Sequence, residues 1–357
     1  MKNNFSDSKI IKNKVSLNPY VFKTPSISSV MIRILALLIL QIAMLFITKS
    51  FNAIYVITGT TVGALCAYAL SYVFYRRQLY TGLVTLVQGI LIGMFLPETY
   101  PVVTAFFVSF FVVILSRFIF EKCITSWVNI VATAVIAAWF IGKRFFPGFL
   151  ITADLLPLKN PSTIMINNGI FPVYGFDTYI TSFLNNTIFS WLKVTLPEGY
   201  ISLLCDTHSI IPAFRFNLLT LLASVVLYSD DPYSGIIPAI FIGTYAILVR
   251  VLAPVLVGGV INQGDVILAL TTSGTLFTAF FLLCWFGTHP VTVSGKILYG
   301  VIAGVLAFAI VGCGTSPIGM IYTVVICNVL NLLIRVVEER RNEALLVKES
   351  LKLVKEV

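Results

Sequence analysis

Ten apolar segments, most near twenty residues long, leave this chain only one kind of solvent. They run approximately over residues 27–48, 53–75, 80–96, 100–118, 126–142, 210–229, 235–258, 264–286, 296–313 and 318–337. About twenty apolar residues in helical form span the hydrocarbon core of a bilayer. Only helices satisfy every backbone polar group within a single span, so each segment is read as a transmembrane helix. Composition agrees. The chain is 58% hydrophobic and 11% charged, against roughly 25% charged residues in a soluble domain. Too little polar surface exists to cover a water-soluble globule. The expected fold class is therefore all-α: a polytopic membrane protein with about ten transmembrane helices.

The formal net charge of +9 does not indicate nucleic acid, because no basic patch is interleaved with aromatics. The basic residues instead sort by side. With the N-terminus inside, the inner segments hold Lys2, Lys9, Lys12, Lys14, Lys23, Arg76, Arg77, Arg117, Lys122, Lys296, Arg335, Arg340, Arg341, Lys348, Lys352 and Lys355; the outer ones hold only Lys49, Lys143, Arg144, Lys159 and Lys193. The positive-inside rule then places both termini in the cytoplasm. The N-terminal stretch lacks the short apolar run and cleavage site of a signal peptide. Five divisions follow: a cytoplasmic segment 1–26, a first membrane half 27–144, an outward-facing connection 145–208, a second half 209–337 and a charged cytoplasmic tail 338–357. Aromatics in the connection, among them Phe171, Tyr174, Phe176, Tyr179, Phe183, Phe189 and Trp191, argue for an ordered fold beside the membrane. The tail reads as a solvated helix.

Five spans per half is an odd number, so similar halves would be inverted. Gly89 to Pro101 in segment three and Gly274 to Pro290 in segment eight carry related glycine and proline interruptions about half a chain apart. Interrupted segments at matching places in inverted halves point to an ion or substrate path near the midplane, which makes Gly89 and Gly274 path candidates.

Motifs of soluble enzymes are absent: no phosphate loop, no GxGxxG, no HExxH, no GxSxG. The six cysteines and two histidines form no metal-ligand spacing. Ionisable residues within spans are few. Arg250 can snorkel to the outer interface, contact an anion or cofactor phosphate, or pair with Asp265. Asp265, after Gly264, is either the N-cap of its helix or a carboxylate on an ion path.

One resemblance organises these residues. Gln263-Gly264-Asp265-Val266-Ile267-Leu268 and Ser273-Gly274-Thr275-Leu276-Phe277-Thr278-Ala279-Phe280-Phe281 resemble the second half of the RnfD membrane proteins of Rnf-type ion-translocating ferredoxin:NAD oxidoreductases, and of their relatives, the NqrB proteins of the sodium-pumping NADH:quinone reductase. His289-Pro290-Val291-Thr292, then Gly295-Lys296, is similar to that family's DPVT…GK loop with His for Asp. Asn18-Pro19-Tyr20-Val21, and Gly89 to Pro97, are similar to two more of its segments. The resemblance implies two inverted five-helix halves, partner subunits carrying iron–sulfur centres and flavins, a bacterial inner membrane, and electron transfer coupled to Na⁺ or H⁺ movement. It also implies an FMN in the outward region, joined through phosphate to the Thr of a (Ser/Thr)-Gly-Ala-Thr motif. That motif is absent here. The nearest threonines are Thr163, Thr178 and Thr181, and Asp206-Thr207 stands where the family has Glu-Thr. Asp206 and Arg250 complete the cofactor-binding candidates. A small-solute transporter on the same scaffold, without redox chemistry, is the alternative.

Overall fold

The computed structural model describes residues 26–75, 79–120, 127–148, 154–155, 157–193, 195–229, 234–312 and 316–355. The N-terminal segment up to residue 25 lies outside these. The described chain is helical, as expected. In the first half come α1 (Ile27–Ile47), α2 (Phe51–Tyr75), α3 (Leu79–Phe95), α4 (Val102–Phe120) and α5 (Ile130–Gly142). The connection contributes α6 (Pro161–Asn167), α7 (Gly175–Leu184), α8 (Ser190–Leu192), which follows α7 through a π turn, and α9 (Tyr200–Cys205). The second half holds α10 (Asn217–Tyr228), α11 (Ile236–Val251), α12 (Ala253–Leu256), α13 (Val266–Thr272), α14 (Thr275–Phe277), α15 (Val293–Val311) and α16 (Gly319–Lys355).

The boundaries have local causes. Ser26 accepts from Ser29 N to cap α1, and the Asn129 side chain accepts from Val131 N and Ala132 N to cap α5. Once started, the helices are long and apolar: α1, α2, α15 and the membrane part of α16 are each long and hydrophobic enough to cross a bilayer. Their outer faces, and those of α4 and α11, carry Ile32, Ile39, Phe111, Ile247 and Leu333, all more than half exposed. In water such a surface would drive aggregation; against lipid it costs nothing.

Packing within each half follows one plan. In the first, α2 sits against both α3 and α4; in the second, α11 sits against α15. Small residues permit the close approach expected of membrane helices. A Cβ on Gly63 would lie 2.5 Å from the Phe106 carbonyl oxygen, and one on Gly304 would lie 2.7 Å from Thr244 Cβ.

Hydrogen bonds fix which ends lie together. Glu98 N donates to Ile210 O (3.0 Å) and Thr99 Oγ1 to Phe145 O (3.1 Å), so the α3–α4 turn shares an end with the connection. At the opposite end Glu338 accepts from Thr292 N (3.0 Å), and Arg335 donates to Gly287 O (2.7 Å) and His289 O (3.0 Å). The connection and the C-terminal extension thus occupy opposite ends of the bundle. Helix α1 starts at the end that holds His289 and Lys296, whereas α10 starts beneath the connection.

Two sequence expectations change in detail. Segment eight is not one helix: α13 stops at Thr272, Gly274 takes a left-handed conformation (φ 66°), and α14 passes into a π turn. Gly89 makes no matching break. It lies inside a continuous α3, packed on Thr61 and Ala64 of α2. The interruption falls in one half only, because α3 keeps a full ladder up to Phe95. Helix α16 runs unbroken past residue 338, and the Glu338 carboxylate also accepts from the Thr292 hydroxyl, fastening the helix to the start of α15.

Candidate functional site

The connection closes over one end of both halves, the end that holds the α3–α4 turn, and leaves beneath it a cavity of about 240 Å³. Both halves and the connection contribute wall: Pro147 after α5, Phe171 from the connection, Thr207 to Ile210 and Phe214 before α10, Thr272 at the end of α13, and Pro317 before α16. The broken helix therefore ends its α13 arm in this cavity. Phe214 fixes the geometry of the break. A Cβ on Gly274 would fall inside van der Waals distance of the Phe214 ring, and that ring packs edge-on against Phe95, which in turn meets Phe277.

One wall is held by a buried ion pair. Helix α9 ends at Cys205, and Asp206 turns into extended backbone. Its carboxylate accepts from Arg215 Nε (3.0 Å) and Nη2 (2.7 Å), a two-pronged pairing, and from His208 N (2.8 Å). Both partners are over nine-tenths buried. Arg215 Nη1 also donates to Ser50 Oγ, reaching the α1–α2 turn. Thr207 Oγ1 donates to Phe214 O (2.7 Å), drawing the loop shut. Arg215 is absent from the sequence candidates. Its signal is nonetheless present in the chain: a guanidinium inside the apolar segment 210–229 must find a carboxylate, and Asp206 is the nearest one.

The connection is held by two further carboxylates. Asp177 is fully buried and accepts from Thr181 Oγ1 (2.9 Å), Gly199 N (2.8 Å), Ser202 N (2.6 Å) and Ser202 Oγ (2.7 Å). Burial pushes its carboxyl up, but these donors outweigh that and hold it below its ordinary value of 3.8. Asp265 does cap α13, accepting from Leu268 N (3.0 Å), and its other oxygen accepts from Ser162 N (3.0 Å) and the Ser162 hydroxyl. The same carboxylate meets Tyr200 OH at 3.4 Å. Burial first, and then the Asp265 charge, push the Tyr200 phenol up, so it stays a neutral donor.

The candidate residues therefore separate. Thr181 is sequestered on Asp177; Thr163 is half-buried, 3.3 Å from Tyr200 OH; Thr178 is exposed on α7. Arg250 does not pair with Asp265. Pro254 has no N–H to continue the α11 ladder, and the Arg250 carbonyl accepts from Gly264 N (3.2 Å) instead, while Arg250 Nη1 donates to Gly264 O (3.0 Å) and Nε to Asn262 Oδ1 (3.2 Å). Arg250 clamps the turn that leads into the broken helix, with its side chain exposed.

A prediction follows from Asp177. Its replacement by alanine strands four donors and is expected to cost about 3–5 kcal/mol, read as a lower unfolding temperature and faster proteolysis between residues 157 and 205. Because the folded carboxyl lies below its unfolded value, its contribution is present at neutral pH. It is lost as pH falls below about 4 and through the lower folded value. Acid-induced proteolysis of the connection should set in there, and Asp177→Asn should remove that pH step.

An all-helical chain, with four described helices long and apolar enough to cross a bilayer and an ordered connection over a cavity between its two halves, defines a polytopic α-helical membrane protein. The chain matches the NQR2, RnfD, RnfE family over residues 14–343, nearly its whole length, and belongs to that family. It is thus a membrane subunit of the Rnf/Nqr type of complex. None of the curated proteins compared with it matches.

Proposed function

We propose that this subunit passes electrons through a flavin held at the outer cavity and couples that transfer to movement of Na⁺ or H⁺ across the membrane, in company with iron–sulfur and flavin subunits of the same complex. The observation that carries the reading is the meeting, in one cavity, of the connection and the α13 arm of the helix broken at Gly274. A charge change on a group in that cavity acts directly on the element whose backbone is interrupted within the membrane.

The lining suits a flat ring better than a phosphate. Phe171 and Phe214 offer aromatic faces, and Thr207 and Thr272 offer hydroxyls, but the described lining contains no Lys or Arg. At about 240 Å³ the cavity is also smaller than sites that enclose a whole drug-sized ligand, which begin near ~300 Å³. FMN would sit with its ring inside and its phosphate at the surface of the connection, the arrangement that attachment to an exposed hydroxyl would give. Thr178 is the exposed hydroxyl among the three candidates, one helical turn from Tyr174, whose OH lies 3.4 Å from His208 Nε2 at the cavity. A bound flavin would supply one- and two-electron chemistry. The residues here would orient the ring, and the Asp206–Arg215 pair would hold the wall rigid.

Denatured protein should fluoresce as a flavoprotein in the gel. Thr178→Val is expected to abolish that fluorescence with the fold intact, whereas Thr163→Val should retain it. A flavin-free complex that still moves a small solute across liposomes would instead establish the transporter reading.

A further inference from the structure

Helix α7, the π turn Asn185–Phe189 and α8 make one continuous rod over residues 175–192. Successive side chains of an α-helix are about 100° apart, and on that spacing the sides of α7 meet three environments. Asp177 and Thr181 share one side; both are buried, and Asp177 bonds to Gly199 and Ser202. Phe176, Tyr179, Ile180 and Phe183 fall in a second sector roughly 100° wide, and all four are exposed, Tyr179 by 77%. Thr178 and Ser182 occupy the third side and are exposed as well. The π turn preserves this pattern. Its wider turn takes up about one extra residue, which keeps Ile188 and Trp191 in the apolar sector, where Trp191 is 86% exposed. Asn185 pins the register by accepting from Leu196 N (2.8 Å) and donating to Leu196 O (3.0 Å).

The chemistry of the exposed sector selects what covers it. Residues 175–192 contain no Lys or Arg and a single acid, Asp177, which is turned inward onto four donors. The exposed sides of the rod therefore offer no charge, whereas a protein interface surrounds its apolar centre with a polar rim that fixes orientation. A lipid surface asks for the opposite: large apolar side chains, charge removed, and Tyr and Trp rings at headgroup level. Position agrees. The connection covers the end of the bundle that holds the α3–α4 turn, and a second stretch there is apolar and open. Leu256, Val260 and Ile261 are each more than half exposed, just before Asp265, which bonds to Ser162 of the connection. A helix with one apolar and one polar side lies in the plane of the membrane surface. We propose that residues 175–192 rest in the headgroup layer of the bilayer at this end, with the aromatic sector against the acyl chains and Thr178 and Ser182 in water.

The test uses the intact complex in phosphatidylcholine nanodiscs, with the photo-cross-linking residue p-benzoylphenylalanine introduced singly. Tyr179, Phe183 and Trp191 are replaced on the apolar side, and Ser182 and Ser190 on the polar side. All five are exposed, so no replacement disturbs the core. After illumination, mass spectrometry identifies what each position has captured. Phosphatidylcholine adducts are expected at positions 179, 183 and 191 and not at 182 or 190. Adducts of the first three with another subunit overturn the proposal in favour of a protein interface. Lipid adducts at all five positions overturn it by placing the rod within the hydrocarbon, and lipid adducts at none overturn it by placing the rod in water. None of these readouts involves flavin or ion movement, so this inference and the proposed function fail separately.

Discussion

Arg215→Ala is expected to lower stability by about 3–5 kcal/mol, the cost of stranding one partner of a buried ion pair. The substitution leaves the Asp206 carboxylate over nine-tenths buried with both guanidinium bonds gone and only His208 N as a strong donor. It also frees Ser50, so the α1–α2 turn loses its tie to the connection. Asp206→Ala should cost a similar amount by stranding the guanidinium. Removing both, as Asp206→Leu with Arg215→Met, should recover much of the loss, because the pair's Coulomb energy largely offsets its desolvation. The check is a double-mutant cycle read by thermal unfolding in detergent. Single and double variants of equal stability would mean that the pair does not hold the wall. The guanidinium also lies over the Phe216 ring, 5.2 Å from its centroid, so methionine is the better apolar replacement.

Gly274→Val is expected to be the most damaging single change near the broken helix. The position has φ 66°, where a β-branched residue is a genuine outlier, and strain of this kind costs about 1–3 kcal/mol. The new side chain must also displace Phe214, which is 4% exposed and wedged against Phe95. Overpacking of a tight core adds about 1–3 kcal/mol. Relief by straightening the helix would drive Phe214 into the cavity. A lowered unfolding temperature, with loss of the proposed flavin, is the expected result. Gly274→Ala combined with Phe214→Leu should restore the space and leave only the backbone strain. If Gly274→Val unfolds at the unsubstituted temperature, the left-handed turn is not required.

The two substitutions mark where sequence stops being sufficient. Span positions could be read because a bilayer imposes one length and one polarity, and an apolar run of that length has few alternatives. Caps could be read because they are local: Asp265 precedes its helix, and the side chain reaches a backbone N–H three residues on. Arg250 was harder. Its nearest acid in sequence is Asp265, yet the missing N–H of Pro254 and the turn at Gly264 give the guanidinium backbone and amide partners instead. Thr181 satisfied the residue type for a phosphate ester, but a spacing of four on α7 puts it beside Asp177, where its hydroxyl is already used. Asp177 itself could not be singled out, because the Gly199 and Ser202 groups that define its role come from α9 and the turn before it.

Hydrophobic length, the side preference of basic residues and local capping chemistry determined an all-helical membrane bundle and the places where its helices begin, since these depend on short stretches of chain and on the solvent around them. Which buried charges meet, which glycine breaks its helix and where the cavities open were decided by the tertiary structure. Those outcomes depend on groups from separate helices arriving within about 3 Å of each other, and no property of either stretch alone sets that distance.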